Sequence, residues 1–94
     1  MNKYLIDYSD RAKNDVKKIK KSGNKLLNEK LIKLLEEVAE HPRTGTGHPE
    51  QLKGFKEVER WSRRINKEHR LVYDIEEDVV IVLIVSAYGH YDDR

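Results

Sequence analysis

The chain has 94 residues, no cysteine, 38% charged residues and a formal net charge of only +2. That length suits one domain with a single modest core, and the lack of cysteine excludes disulfides and thiolate metal sites. A nucleic-acid partner cannot be inferred from so small a net charge and has to be sought in where the cations sit. The apolar residues are clustered, which argues for a folded domain rather than disorder. There is no charged n-region followed by an apolar h-region, and no apolar run long enough to span a bilayer. No membrane association and a cytoplasmic location are therefore expected.

Residues 3–8 alternate aromatic, aliphatic and polar side chains, the pattern of a short first strand. Ser9 or Asp10 can then cap a helix in which Ala12, Val16 and Ile19 recur at helical spacing, with Gly23 placed to end it in a left-handed conformation. Its lysines at 13, 17, 18, 20 and 21 read as a solvated face. A second helix starts near Asn24 and carries the clearest periodicity of the chain, Leu27, Leu31, Leu34, Leu35 and Val38, stopping before Pro42. Two short-linked amphipathic helices form a hairpin that must bury its apolar faces against a sheet.

Residues 41–54 contain two prolines and three glycines, so a loop without regular structure is expected there. Three strands follow, over 57–65, 69–75 and 79–88, with turns at 66–68 and 76–78. The last of them, VVIVLIVSA, is apolar almost throughout and is expected to be central, with both faces covered. The predicted fold is α+β: a two-helix hairpin on a mostly antiparallel sheet of about four strands, as one domain spanning residues 1–94.

The chemistry concentrates in WSRRINKEHRLVY, residues 61–73, which places Arg63, Arg64 and Arg70 on two adjacent strands. A guanidinium matches a pair of phosphate oxygens, and a strand holds it firmly. Arginines on an antiparallel ribbon are nonetheless more often solvated surface residues. This topology can bring Glu50 of the loop and His90 beyond the last strand close to that ribbon. RNA transesterification needs such a set: a base for the 2'-hydroxyl proton, cations for the charge building on phosphate, and an acid for the departing 5'-oxygen. A lone loop carboxylate and a lone histidine near the chain end are each more often simply solvated. The spacing of His41, His48, His69 and His90 suggests no metal set, and no cofactor is expected. His69, beside Arg70, is expected to point to the opposite face and bond within the fold. Trp61 and Tyr73 read as packing residues, and Tyr91 is the better candidate for stacking on a base.

Three segments, GTGHPEQLKG, WSRRINKEHRLVY and the closing GHY, occur in an order and at separations that resemble the YoeB/Txe toxins of the RelE superfamily. The resemblance covers essentially the whole chain. It implies a RelE-like fold and a toxin of a type II toxin-antitoxin module, a ribosome-dependent endonuclease that cleaves mRNA in the ribosomal A site without a metal. It further implies Glu50 as general base, His90 as general acid, Arg70 as the arginine stabilising the scissile phosphate and Arg64 as a supporting contact. Tyr91 matches a terminal tyrosine that shapes the substrate site, and Lys53 and Arg63 are added as RNA-backbone contacts. The implied partners are mRNA, the ribosome and a partly disordered antitoxin of the YefM/Axe/Phd kind, with a homodimer as a further assembly. This chain departs from many relatives in its near-neutral charge, its Asp92-Asp93-Arg94 ending and its Gly89 before the histidine. Two other functions stay open: a superfamily toxin that inhibits DNA gyrase without catalysis, and a ribosome- or RNA-binding module that uses only the arginine ribbon.

Overall fold

The computed structural model describes residues 3–85. Strand β1 (Leu5–Tyr8) leads into helix α1 (Asp10–Lys21), a short turn and helix α2 (Lys25–Glu40). Strands β2 (Glu50–Gln51), β3 (Glu59–Arg64), β4 (Arg70–Glu76) and β5 (Val79–Ile84) follow. They form one sheet in the order β1-β5-β4-β3-β2, antiparallel except for the parallel pair β1 and β5. Among the described residues, no helix is long and apolar enough to cross a membrane.

Local sequence sets the helix ends. Ser9 is the N-cap of α1: its Oγ accepts from the Ala12 amide at 3.0 Å and donates to the Leu83 carbonyl at 2.8 Å, tying the helix start to β5. Gly23 follows the end of α1 with φ +79°, a left-handed conformation that costs glycine little. Asn24 then caps α2 by accepting from the Leu27 amide at 3.0 Å. The predicted apolar stripe faces inward. Leu27, Leu31, Leu34 and Val38 are buried, and they share one core with Ala12 and Ile19 of α1 and with Leu71, Tyr73, Ile75, Val80 and Val82 of the sheet.

The sheet differs from the sequence expectation in two ways. It has five strands rather than about four, because Glu50–Gln51 pairs with Ser62 and Trp61 inside the stretch expected to be irregular. Both prolines of that stretch precede the pairing, so neither removes a ladder donor from it, and Leu52 extends the contact by donating to the Arg60 carbonyl at 2.8 Å. The sheet is mostly antiparallel as expected; its one parallel pair joins β1 to β5, which the helices and three strands separate, and a crossover of that length permits parallel pairing. Strand β5 lies inside the sheet as expected, but while its helix-facing Val80 and Val82 are fully buried, Val79 and Ile81 are half-buried. Both helices lie on one side of the sheet; on the opposite face Ser62, Val72 and Asp74 are buried, while Glu50 and Arg64 are exposed and Arg70 is half-buried.

Candidate active site

Strand alternation divides the arginine ribbon between the two faces of the sheet. In β3, Trp61 and Arg63 point toward the helices, where their cross-strand partners Tyr73 and Leu71 lie in the core. Arg60, Ser62 and Arg64 point to the opposite face, where Ser62 is buried and Arg64 exposed. There Arg64 stands directly opposite Arg70, while Ser62 has Val72 on one side and Glu50 on the other. Glu50, Arg64 and Arg70 are thus gathered at one end of one face, on three adjacent strands spaced by about 4.8 Å each. A ligand of nucleotide size can reach all three.

Like charges placed opposite one another across a ladder repel, and two arginines here do so without compensation. Arg70 donates to Ser62 Oγ at 3.1 Å, but among the described residues neither Arg64 nor Arg70 has a carboxylate partner. The far end of the same face is neutralised. Arg60 grips Asp74 through two hydrogen bonds of 2.7 and 3.0 Å, and its guanidinium lies 4.5 Å from the centre of the Phe55 ring. Among the described residues, the arginines of this face without a carboxylate partner are therefore Arg64 and Arg70, beside an exposed carboxylate on Glu50. Arg64 also borders an open groove of about 680 Å³ that runs along α2, rimmed by Lys30, Lys33 and Lys67. Among the described residues, no three His, Asp or Glu side chains converge as a metal site.

Arg63 corrects the sequence reading. Expected as an RNA-backbone contact, it is fully buried on the helix side of the sheet and cannot meet a ligand beside Arg64 and Arg70 on the opposite face. Its Nε donates to Tyr73 Oη at 3.0 Å, one terminal nitrogen donates to Glu37 Oε1 at 3.0 Å and to the Thr46 carbonyl at 3.3 Å, and the other to the His41 and Thr44 carbonyls. Adjacent residues of a strand face opposite ways, so Arg63 and Arg64 could never share a face; that alternation is the signal the motif reading passed over. Lys53 is exposed in the segment after β2. His69 is half-buried at the β3-β4 turn, with Nδ1 3.1 Å from Asn66 Oδ1, an oxygen that also accepts from the Glu68 and His69 amides. His90 and Tyr91 lie outside the described residues. Sequence reasoning did not single out Ser62, which joins Glu50 to Arg70, or Glu37 of α2.

The segment between α2 and Glu50 is held from several sides. Besides Arg63, Tyr73 Oη donates to the Pro42 carbonyl at 2.6 Å, and Glu37 accepts from the Thr46 amide at 2.9 Å and from its hydroxyl at 3.2 Å. Burial pushes the Tyr73 phenol above its ordinary pKa, so it stays a donor at neutral pH. Arg43 binds Glu59 with two hydrogen bonds of 2.7 and 3.0 Å, and these hold the Glu59 carboxyl below the usual carboxylate range. Gly47 lies flat on β3, its carbonyl accepting from the Arg64 amide at 2.8 Å. With φ +87°, a Cβ at position 47 would sit 2.6 Å from the Arg64 carbonyl oxygen. Gly47→Ala is therefore expected to destabilise the protein by about 1–3 kcal/mol, read as a lowered midpoint in thermal or urea unfolding.

Comparison with known proteins agrees with this geometry. Residues 7–91 match the family model described as the YoeB-like toxin of bacterial type II toxin-antitoxin systems. Toxin YoeB of Synechocystis sp. is 41% identical over 73 residues, covering 73% of this chain and 77% of the relative. The structure of a YoeB dimer from Staphylococcus aureus superposes with a TM-score of 0.77 at 31% identity, covering 95% of this chain and 99% of the other. A heterotetrameric YoeB-YefM toxin-antitoxin complex from the same organism gives a TM-score of 0.76 at 31% identity, with 94% and 98% covered. A match across nearly the whole length, on a fold that sets Glu50, Arg64 and Arg70 on one face of the sheet, identifies this chain as a member of the YoeB-like toxins of bacterial type II toxin-antitoxin systems.

Proposed function

We propose that this toxin is a ribosome-dependent mRNA endonuclease that cleaves A-site mRNA by general acid-base attack of the 2'-hydroxyl, without a metal. The observation that carries the reading is the pair Arg64 and Arg70, opposed across the ladder without a carboxylate partner among the described residues and sharing a face with Glu50. Glu50 takes the 2'-hydroxyl proton as the 2'-oxygen attacks phosphorus. Arg70, with Arg64 beside it, holds the non-bridging oxygens as charge builds on them. His90 delivers a proton to the 5'-oxygen as its bond to phosphorus breaks, and Lys53 and Tyr91 contact the RNA. The step leaves a 2',3'-cyclic phosphate on the upstream fragment and a 5'-hydroxyl on the downstream one.

The relatives support the partners. In S. aureus a YoeB toxin assembles with YefM and is also described as a dimer. By that likeness a YefM-type antitoxin neutralises this toxin in the cytoplasm, and a second copy of the chain is a further partner. The test is a translation reaction with purified ribosomes and a defined mRNA, in which new 5' ends are mapped. Cuts confined to ribosome-bound mRNA are the expected result. Arrest without cleavage would leave a binding module, and continued translation with loss of DNA supercoiling by gyrase would make this a gyrase inhibitor.

A further inference from the structure

Glu50 has little to hold it in place. Its strand is two residues long and lies at the edge of the sheet, and its side chain is exposed. What precedes it is anchored far more firmly. Between α2 and β2, the carbonyls of His41, Thr44 and Thr46 all converge on the Arg63 guanidinium, and that of Pro42 on the Tyr73 hydroxyl, which also accepts from Arg63. Glu37 closes the cluster by accepting from both Arg63 and Thr46. A buried guanidinium needs its donors satisfied, and this one satisfies them with three carbonyls of a single loop, the Tyr73 hydroxyl and the Glu37 carboxylate. Arg63 also lies between Ser62, which pairs with Glu50, and Arg64, whose amide holds the Gly47 carbonyl. The same strand therefore presents the phosphate-binding arginine on one face and anchors the loop carrying the carboxylate from the other.

We propose that Arg63 is the positioning residue for Glu50: it curls the loop around its buried guanidinium and so fixes where the carboxylate stands on the opposite face of the sheet, beside Arg64 and Arg70. This rests on the reading of Glu50 as the base. Lysine keeps the charge of Arg63 but offers no planar fork, so it cannot hold three carbonyls and a carboxylate at once. Displacement of a reacting group by about 1 Å can cost on the order of 100-fold in rate.

The test is a double-mutant cycle in the ribosome cleavage assay, with wild type, Arg63→Lys, Glu50→Gln and the double variant. Arg63→Lys is expected to lower kcat by roughly 10-fold to 100-fold with KM unchanged within about 3-fold, and to add less than about 3-fold in the Glu50→Gln background. A purely structural role lowers the active fraction equally in both backgrounds, so the two losses would then multiply. Tyr73→Phe, which removes one hydroxyl from the cluster, provides a milder second cycle if Arg63→Lys does not fold; a loss of roughly 3-fold to 10-fold, again absent beside Glu50→Gln, is expected. Multiplying losses, or wild-type kcat in the Arg63→Lys and Tyr73→Phe variants, would overturn the positioning role while leaving Glu50 as the base. A wild-type rate for Glu50→Gln would remove the base assignment and this role with it.

Discussion

Glu50→Gln is expected to slow cleavage of ribosome-bound mRNA by about 100-fold to 10,000-fold, the range a positioned proton-transfer group contributes. Glutamine has nearly the size of glutamate and can still sit opposite Ser62, but it cannot take the 2'-hydroxyl proton. The loss should fall on kcat, since an exposed carboxylate near a polyanion contributes nothing favourable to binding it. Removing that negative charge is expected to leave KM unchanged or lower. Stability should stay within about 0.5 kcal/mol of wild type, because the side chain is exposed and has no ion pair among the described residues. Cleavage kinetics and thermal unfolding of the same preparation check both halves. Unchanged kcat would remove Glu50 from the chemistry.

Arg70→Gln should also separate activity from stability. Glutamine keeps an amide that can reach Ser62 Oγ, but it loses the charge that meets the developing negative charge on phosphate. A fall in kcat of about 100-fold to 1,000-fold is expected, the size of losing one preorganised donor to a charged transition state. The same change relieves the repulsion between Arg64 and Arg70 across the ladder, so the folded state should be as stable as wild type or more stable by up to about 1 kcal/mol. A variant that is nearly inactive yet no less stable marks a site whose like charges are held together for a ligand. A clear loss of stability with near-normal kcat would instead make Arg70 a structural residue.

The two helices were legible from the sequence because capping and 3.6-residue periodicity are local properties: Ser9, Gly23 and Asn24 mark the ends that the structure has. Strands β3, β4 and β5 were legible within one or two residues at their starts for the same reason. The pairing of Glu50–Gln51 was not, since two residues at a sheet edge carry no pattern of their own and are placed by the loop that Arg63 and Tyr73 gather. The site was half legible. Motifs brought Glu50, Arg64 and Arg70 into one constellation, and the structure sets these three on a common face. The same motif drew in Arg63, although strand alternation sends it to the core. A motif records which residues stand near one another in sequence, whereas the face each one occupies follows from the pleat. Glu37 shows the converse: a carboxylate on an otherwise charged helix surface looks solvated until a buried guanidinium across the core claims it.

The chemistry of the cut ends tests the central claim most directly. RNA fragments from a cleavage reaction with ribosomes can be probed by ligation and kinase treatment for their terminal groups. Attack by the 2'-oxygen, assisted by Glu50 and Arg70, requires a 2',3'-cyclic phosphate upstream and a 5'-hydroxyl downstream. A 5'-phosphate with a 3'-hydroxyl would mean that water, and not the neighbouring 2'-oxygen, attacked phosphorus, and would contradict the mechanism.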